Sequence, residues 1–392
     1  MRHMEKRTAH WKFLADRRRN SSIELMRILA MLLITAHHAL LDCGTSVTTL
    51  PLGVNKVLLE TFAYSGGKIG VVLFFLISAW YLPVGGSIRA SFRRVWLMER
   101  EVLFWSLALL MVNAVLRPQY VGVGLVVQSL LPMSTNLWWY ITSYAVFLLL
   151  FPFLATGLKA LGRRRHLVLC VVCFVMWSLG EGFAPVVALG LPGGSFLSFV
   201  YLYTLMSFYK WYMRTVRTST AWAMVGVGYG MLLAGAVLGG VLYGVTGKLA
   251  RLQVYLSGTE YRLCVLLVGF GVFALFVRRE FHSAVVNNLA AGTLAVYLIT
   301  EYPPVRTWLW QETFADTLLG DAWYAVPAIF GVTLAVMAVV FVLDSVRRVL
   351  FGVTVDRHRG RLFDRLWDRI IRSRLAKRLG AIGTDPDTAR ML

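Results

Sequence analysis

The stretch SSIELMRILAMLLITAHHALLDC carries Glu24, Arg27, His37, His38 and Asp42 inside an apolar run long enough to cross a bilayer. A charged side chain at the centre of a spanning helix costs about 2.5 to 3.5 kcal/mol, so this concentration asks for a use. On a helix turning 100° per residue, Arg27 and His38 stand eleven positions apart, about 20° past three full turns, and share a face. Glu24, Thr35 and Asp42 fall on the same stripe, and His37 points about 100° away. The two ends of the stripe are separated by roughly 16 Å along the axis. An imidazole suits removal of a proton from an alcohol near neutral pH. Asp42, one turn on, is placed to accept the other ring proton and fix the tautomer. Arg27 suits a phosphate or a developing oxyanion, with Glu24 orienting it. This set suits acyl transfer, with His38 as general base, Arg27 at the donor, and Glu24 and His37 in support. An acyl-histidine intermediate is the alternative route. The plain structural alternatives are a histidine bonded to a neighbouring helix and an arginine snorkelling to the interface.

The elements that must position these groups are membrane helices. With 392 residues, 58% hydrophobic content and a mean hydropathy of +0.65, the chain is too apolar for a soluble protein of this length. Runs of membrane-crossing length predict an all-α polytopic bundle of about ten spans. They are expected at 23–42, 63–83, 99–116, 137–157, 166–182, 193–209, 222–244, 261–278, 285–304 and 323–347, with 121–133 a partial or re-entrant pass. The residues outside them form a basic N-terminal arm, 1–22, and a basic amphipathic tail, 348–392, flanking the transmembrane domain, 23–347.

Arginine and lysine concentrate in the N-terminal arm and in the even-numbered connections, at Arg89, Arg93, Arg94, Lys159, Arg163, Arg164, Arg165, Lys210, Arg214, Arg217, Arg278 and Arg279. The odd-numbered connections are poorer, so both termini are expected on the cytoplasmic side. A formal net charge of +20 raises the possibility of nucleic acid, but the excess sits largely in the two termini of a membrane protein. Anionic lipid is the simpler partner, and no nucleic acid is expected. In the tail, Leu362, Phe363, Leu366, Ile370 and Leu375 cluster near one face among arginines, the pattern of an interfacial helix. The CxxC at Cys170 and Cys173 lies in an apolar run without the partners of a zinc or redox site, and no metal site is expected. The run at 23 follows a long basic arm and reads as a retained span instead of a cleaved signal. Gly235 and Gly239 have the spacing of a close helix contact.

The pattern of an arginine, ten residues and a histidine in the first span resembles acyltransferase family 3, the integral membrane O-acyltransferases. Arg27 and His38 occupy that signature, with Glu24 three residues before the arginine and His37 as the paired histidine. GGKIGVVLFFLISAWYL is similar to the family's second span, retaining Ser78 with Ala79 in place of the usual glycine. VWLMEREVLFWSLAL, LWWYITSYAVFLLLFPFL and GTLAVYLITEYPPVR are similar to later segments. In the last of these, Thr300 stands where many relatives have a histidine, and the acidic Glu301 follows. The resemblance covers roughly residues 20 to 347 and implies ten spans. It also implies transfer of an acyl group, usually acetyl from cytoplasmic acetyl-CoA, to a hydroxyl of a glycan or glycolipid at the outer face of a bacterial cytoplasmic membrane. With only a short basic tail, the chain is expected to act alone or to hand the acyl group to a partner.

Other polar residues carry secondary expectations. Arg93 and Arg94 suit the phosphates of CoA. Lys68 either meets donor or acceptor or snorkels. Trp138, Trp139 and Tyr140 are expected in an interfacial aromatic belt, with stacking on a sugar as the alternative. Glu181 and Glu301, near span ends, are either site carboxylates or interfacial. The competing class is a proton-coupled transporter or flippase of a glycan precursor, with the same residues relaying protons. The absence of an internal repeat and the concentration of polar residues on one span weigh against it.

Overall fold

The computed structural model describes residues 20–44, 46–181, 191–315 and 322–373. The basic residues before Asn20, and Leu375 of the tail, lie outside this set. Among the described residues the chain is helical and has no strand. In order run α1 (Ser21–Asp42), α2 (Val54–Tyr81), α3 (Ile88–Leu116), α4 (Val123–Leu130), α5 (Trp139–Ala160), α6 (Gly162–Cys173) and α7 (Phe196–Tyr212). They are followed by α8 (Thr218–Thr246), α9 (Leu263–Val277), α10 (Ala284–Thr300), α11 (Pro303–Thr313), α12 (Ala325–Val353) and α13 (Arg361–Arg372).

Among the described residues, α1, α2, α5, α8 and α12 are each long and apolar enough to cross a membrane, and the pair α10 and α11 passes that test together. The other expected spans coincide with helical segments that are shorter or more charged. The stretch expected as a partial pass is the eight-residue α4. The expected single span 285–304 is not straight, because α10 and α11 meet at 86°. The cause is local: Pro303 and Pro304 follow Tyr302, whose backbone is extended (φ −69°, ψ 123°), as the residue before a proline prefers.

Helices α1 and α2 bury most of their residues, whereas α8 and α12 turn most of theirs outward. Their outward surface, including Val227, Leu238, Val339, Val342 and Val346, is apolar, as hydrocarbon contact requires. The central core joins α2, α5 and α7: Phe75 stacks on Phe199 at 4.6 Å and meets Phe147 edge-on at 5.0 Å. Gly235 and Gly239 do not mediate a helix pair. A Cβ at either would meet the loop that follows α8, Leu256 at 2.9 Å and the Gln253 backbone at 2.7 Å.

The tail helix α13 is only partly a lipid-facing element. Phe363 and Trp367 pack on Trp96 and Phe92 of α3, while Leu362, Leu366 and Ile370 stay exposed. Asp364 pairs with Arg89 at 2.9 Å and approaches Arg93 at 3.9 Å.

The contact that sets α1 against α2 is tight. A Cβ on Gly70 would stand 2.6 Å from the Ala30 carbonyl oxygen and 2.7 Å from Ile34 Cγ1, whereas Gly226 on α8 has nothing within 4 Å. Overpacking of this kind costs about 1–3 kcal/mol. Gly70→Ala is therefore expected to lower the melting temperature of the detergent-solubilised protein by several degrees, with Gly226→Ala leaving it unchanged, read by temperature-dependent size-exclusion chromatography.

Candidate active site

The start of α1 is fixed by its polar cap. Asn20 Oδ1 accepts from the Ser22 N–H at 3.0 Å, and Asn20 Nδ2 donates to the Arg279 carbonyl at 3.0 Å. Ser21 donates to Asn287 Oδ1 at 2.8 Å and Ser22 to the Phe276 carbonyl at 2.8 Å. Serine and asparagine here satisfy N–H groups that a helix start leaves open, and they tie α1 to the connection between α9 and α10. Arg27 follows two turns later, with Nη1 3.3 Å from the buried Glu24 carboxylate and its guanidinium 6.0 Å from the Phe74 ring centroid. The expected pairing of Glu24 with Arg27 is present.

At the other end of the face, His38 Nδ1 lies 3.1 Å from Glu301 Oε2 and 4.0 Å from Asp42 Oδ2. The nearer carboxylate is therefore not the one a turn away on α1 but Glu301, at the end of α10 where the prolines break the helix. Arg306 of α11 closes the group, with Nε 3.7 Å from Asp42 and Nη1 4.0 Å from Glu301. The bend makes this possible, because it brings α11 back across the end of α10 it has just left. Thr300, at the position of the family histidine, turns away and donates to the Val296 carbonyl at 2.9 Å. Thr35 likewise leaves the stripe, donating to the Met31 carbonyl at 2.9 Å.

His37 sits beside the site. Its ring meets His38 edge-on at 5.5 Å and Tyr64 at 5.1 Å. Tyr64 closes a π-helical turn, Leu59–Tyr64, of α2, and the next turn presents Gly67 to the imidazole. A Cβ there would fall onto the His37 ring.

Between Arg27 and His38 the same face of α1 borders a small, partly open cavity lined by Met31, Ile34 and His38 with Val71, Phe74, Trp139, Tyr140, Leu294 and Tyr297. Its walls are apolar and aromatic, and His38 is the imidazole among its lining residues. With Nδ1 directed to Glu301, Nε2 is the ring nitrogen not engaged by that carboxylate. The aromatic run at the start of α5 turns inward instead of forming an interfacial belt. Trp138 is buried 6.2 Å from the Tyr302 ring, and Trp139 and Tyr140 line the cavity. Lys68 does not snorkel: its ammonium lies 2.9 Å from the fully buried Glu260 and 5.5 Å from the Trp139 ring centroid.

Arg93 and Arg94 separate. Arg93 Nη2 donates to the Arg359 carbonyl at 3.1 Å and belongs to the contact with the tail. Arg94 turns inward, its Nη1 buried without a hydrogen-bond partner, and it shares with Arg27 the electrostatic neighbourhood of Tyr144. Glu181 pairs with Arg262 at 3.3 Å, away from His38. His38, Asp42 and Glu301 offer ligand atoms within 4.8 Å of one another, a spacing compatible with a divalent cation. Arg306 already places positive charge against both carboxylates.

The arginine and histidine of the pattern that carries the resemblance thus lie on one helix, with the histidine on the wall of a cavity and beside a carboxylate. The family model for the acyltransferase domain of acyltransferase family 3 matches residues 20–343. The chain belongs to acyltransferase family 3. No curated protein and no solved structure matches it. The acyltransferase-domain match begins at Asn20, the residue that caps α1, and leaves α13 outside. It is thus a multi-pass membrane protein of an acyltransferase family.

The sequence pattern leaves Arg306, Tyr297 and Glu260 without a site role. Only Glu301 and Arg306 carried a readable signal, the paired prolines that end one helix between them. The two carboxylates near His38 are separable by experiment. Glu301→Gln is expected to slow acyl transfer by at least about 10²-fold, the lower end of what a positioned base contributes. Asp42→Asn is expected to cost only a few-fold, both measured as kcat at equal amounts of folded protein.

Proposed function

We propose that this protein is an O-acyltransferase that moves an acetyl group from cytoplasmic acetyl-CoA to a hydroxyl of a surface polysaccharide, a glycolipid or a lipid-linked glycan precursor. The setting is a bacterial cytoplasmic membrane, with ten passes and both termini inside. The observation that carries the reading is the cavity along α1: His38, its Nδ1 3.1 Å from Glu301, lies on that cavity, and Arg27 lies further along the same helix face.

In this reading Arg27, oriented by Glu24, holds the donor near the cytoplasmic interface, and the inward-turned Arg94 meets its phosphates. Arg93, engaged by the tail, is the weaker candidate for that contact. The apolar cavity suits the uncharged arm of the donor and excludes water that would hydrolyse the thioester. The imidazole accepts the hydroxyl proton at Nε2 as the oxygen attacks the thioester carbon. Glu301 holds the tautomer and stabilises the imidazolium that forms. The imidazolium then returns the proton to the departing sulfur. His37 supports the His38 ring through edge-on packing. If His38 instead takes the acetyl group itself, the same cavity and donor contacts serve, and the acceptor attacks the acyl-imidazole in a second step.

Membranes carrying wild type, His38→Ala or Arg27→Ala at matched protein levels distinguish this reading from transport. Labelled acetyl from acetyl-CoA is expected in the glycan or glycolipid fraction with wild type, and at least about 10²-fold less with His38→Ala. Equal labelling in all three contradicts the roles assigned here. Collapse of a glycan-precursor gradient without labelling supports the transporter class instead.

A further inference from the structure

Two tyrosines, Tyr140 and Tyr297, line the cavity, and Tyr144 stacks on Tyr140. The Tyr140 hydroxyl is buried and has no hydrogen-bond partner. Its residue is 7% exposed and lines the cavity beside His38. A buried hydroxyl without a partner is unfavourable, and an oxygen of a bound ligand would supply the partner it lacks.

The ring is not free to swing toward a protein acceptor. It is clamped edge-on by Phe74 at 5.8 Å and by Phe199 at 5.1 Å, and stacked with Tyr144 at 6.1 Å. Tyr297 bridges it to the base, lying 6.3 Å from Tyr140 and 6.4 Å from His38 between ring centroids. On the other side, Arg27 is within electrostatic reach. A donor held at Arg27 with its thioester near His38 would pass the Tyr140 side chain, whose hydroxyl is buried behind the cavity wall.

We propose that Tyr140 is a catalytic residue whose hydroxyl donates a hydrogen bond to the thioester carbonyl oxygen of the acyl donor as that oxygen becomes negatively charged. The assignment rests on the acyl-transfer reading. As the acceptor oxygen bonds to the acyl carbon, its proton goes to His38 Nε2 and the carbonyl electron pair moves onto oxygen, where Tyr140 meets it. When the C–S bond breaks, the pair returns, the C=O re-forms, and sulfur leaves with the proton from His38. Tyr140 keeps its own proton throughout. If His38 is acylated first, the same oxyanion forms in each of the two steps, and the role is unchanged. A preorganised donor in a water-poor site is worth about 10²–10³ in rate.

Tyr140→Phe removes the hydroxyl and keeps the ring that Phe74 and Phe199 hold. Steady-state transfer from acetyl-CoA is expected to show kcat lowered by about 10²–10³-fold, with KM for acetyl-CoA within about threefold of wild type. The melting temperature is expected to be unchanged or raised, because the aromatic packing is retained and an unpaired buried hydroxyl is removed. A kcat within about threefold of wild type overturns the assignment. So does a raised KM with unchanged kcat, which would make the hydroxyl a binding contact for the donor arm. Wild type that transfers no acetyl overturns the parent reading and this assignment with it, which an active wild type with an unaffected Tyr140→Phe does not.

Discussion

The contact on which the site depends is that between His38 and Glu301. Both groups lie in an apolar bundle where an isolated carboxylate is costly to bury, and each supplies what the other lacks. The contact joins the first helix of the chain to a helix that ends about 260 residues later, and a continuous helix at 284–313 would carry the chain onward where the bend returns it. The two prolines after Tyr302 are thus as much a part of the site as the histidine. They end α10 at Glu301 and turn Arg306 back toward the carboxylates.

Other charges follow the same constraint. Lys68 is matched by Glu260, and Asp344 at the far end of α12 by Arg347 at 2.6 Å and Arg348 at 3.0 Å. Arg347 in turn reaches Glu101 of α3 at 3.1 Å, tying the long charged helix to the bundle. Asp364 of the tail helix meets Arg89 and approaches Arg93, so the amphipathic helix lies against α3 with only part of its apolar arc left for lipid. Among the buried polar atoms without a hydrogen-bond partner are Nη1 of Arg94 and the hydroxyl of Tyr140, both in the neighbourhood of Tyr144 and Arg27.

Much of this was legible in the sequence where one helix settles the question. The common face of Arg27 and His38 and the pairing of Glu24 with Arg27 follow from 3.6 residues per turn. The same rule favoured Asp42 as the partner of His38, and it failed because a carboxylate from another helix comes closer. Periodicity cannot see a contact of that sequence separation. Trp138, Trp139 and Tyr140 have the composition of an interfacial belt, yet the start of α5 faces α2, α7 and the bend, so the rings fill the cavity wall. Gly235 and Gly239 have the spacing of a helix contact but admit a loop. In each case the residue type was read correctly, and the neighbour that tertiary packing supplied was not.

The central claim is that the acyl donor lies along the α1 face with its thioester at His38. The measurement that tests it most directly is a cryo-EM map of the protein bound to a non-hydrolysable thioether analogue of acetyl-CoA. The account predicts density for the donor arm running from Arg27 past Phe74 and Tyr140, with the acyl end within about 4 Å of the His38 ring, a near-attack separation. Donor density elsewhere, with the cavity beside His38 empty, would contradict it.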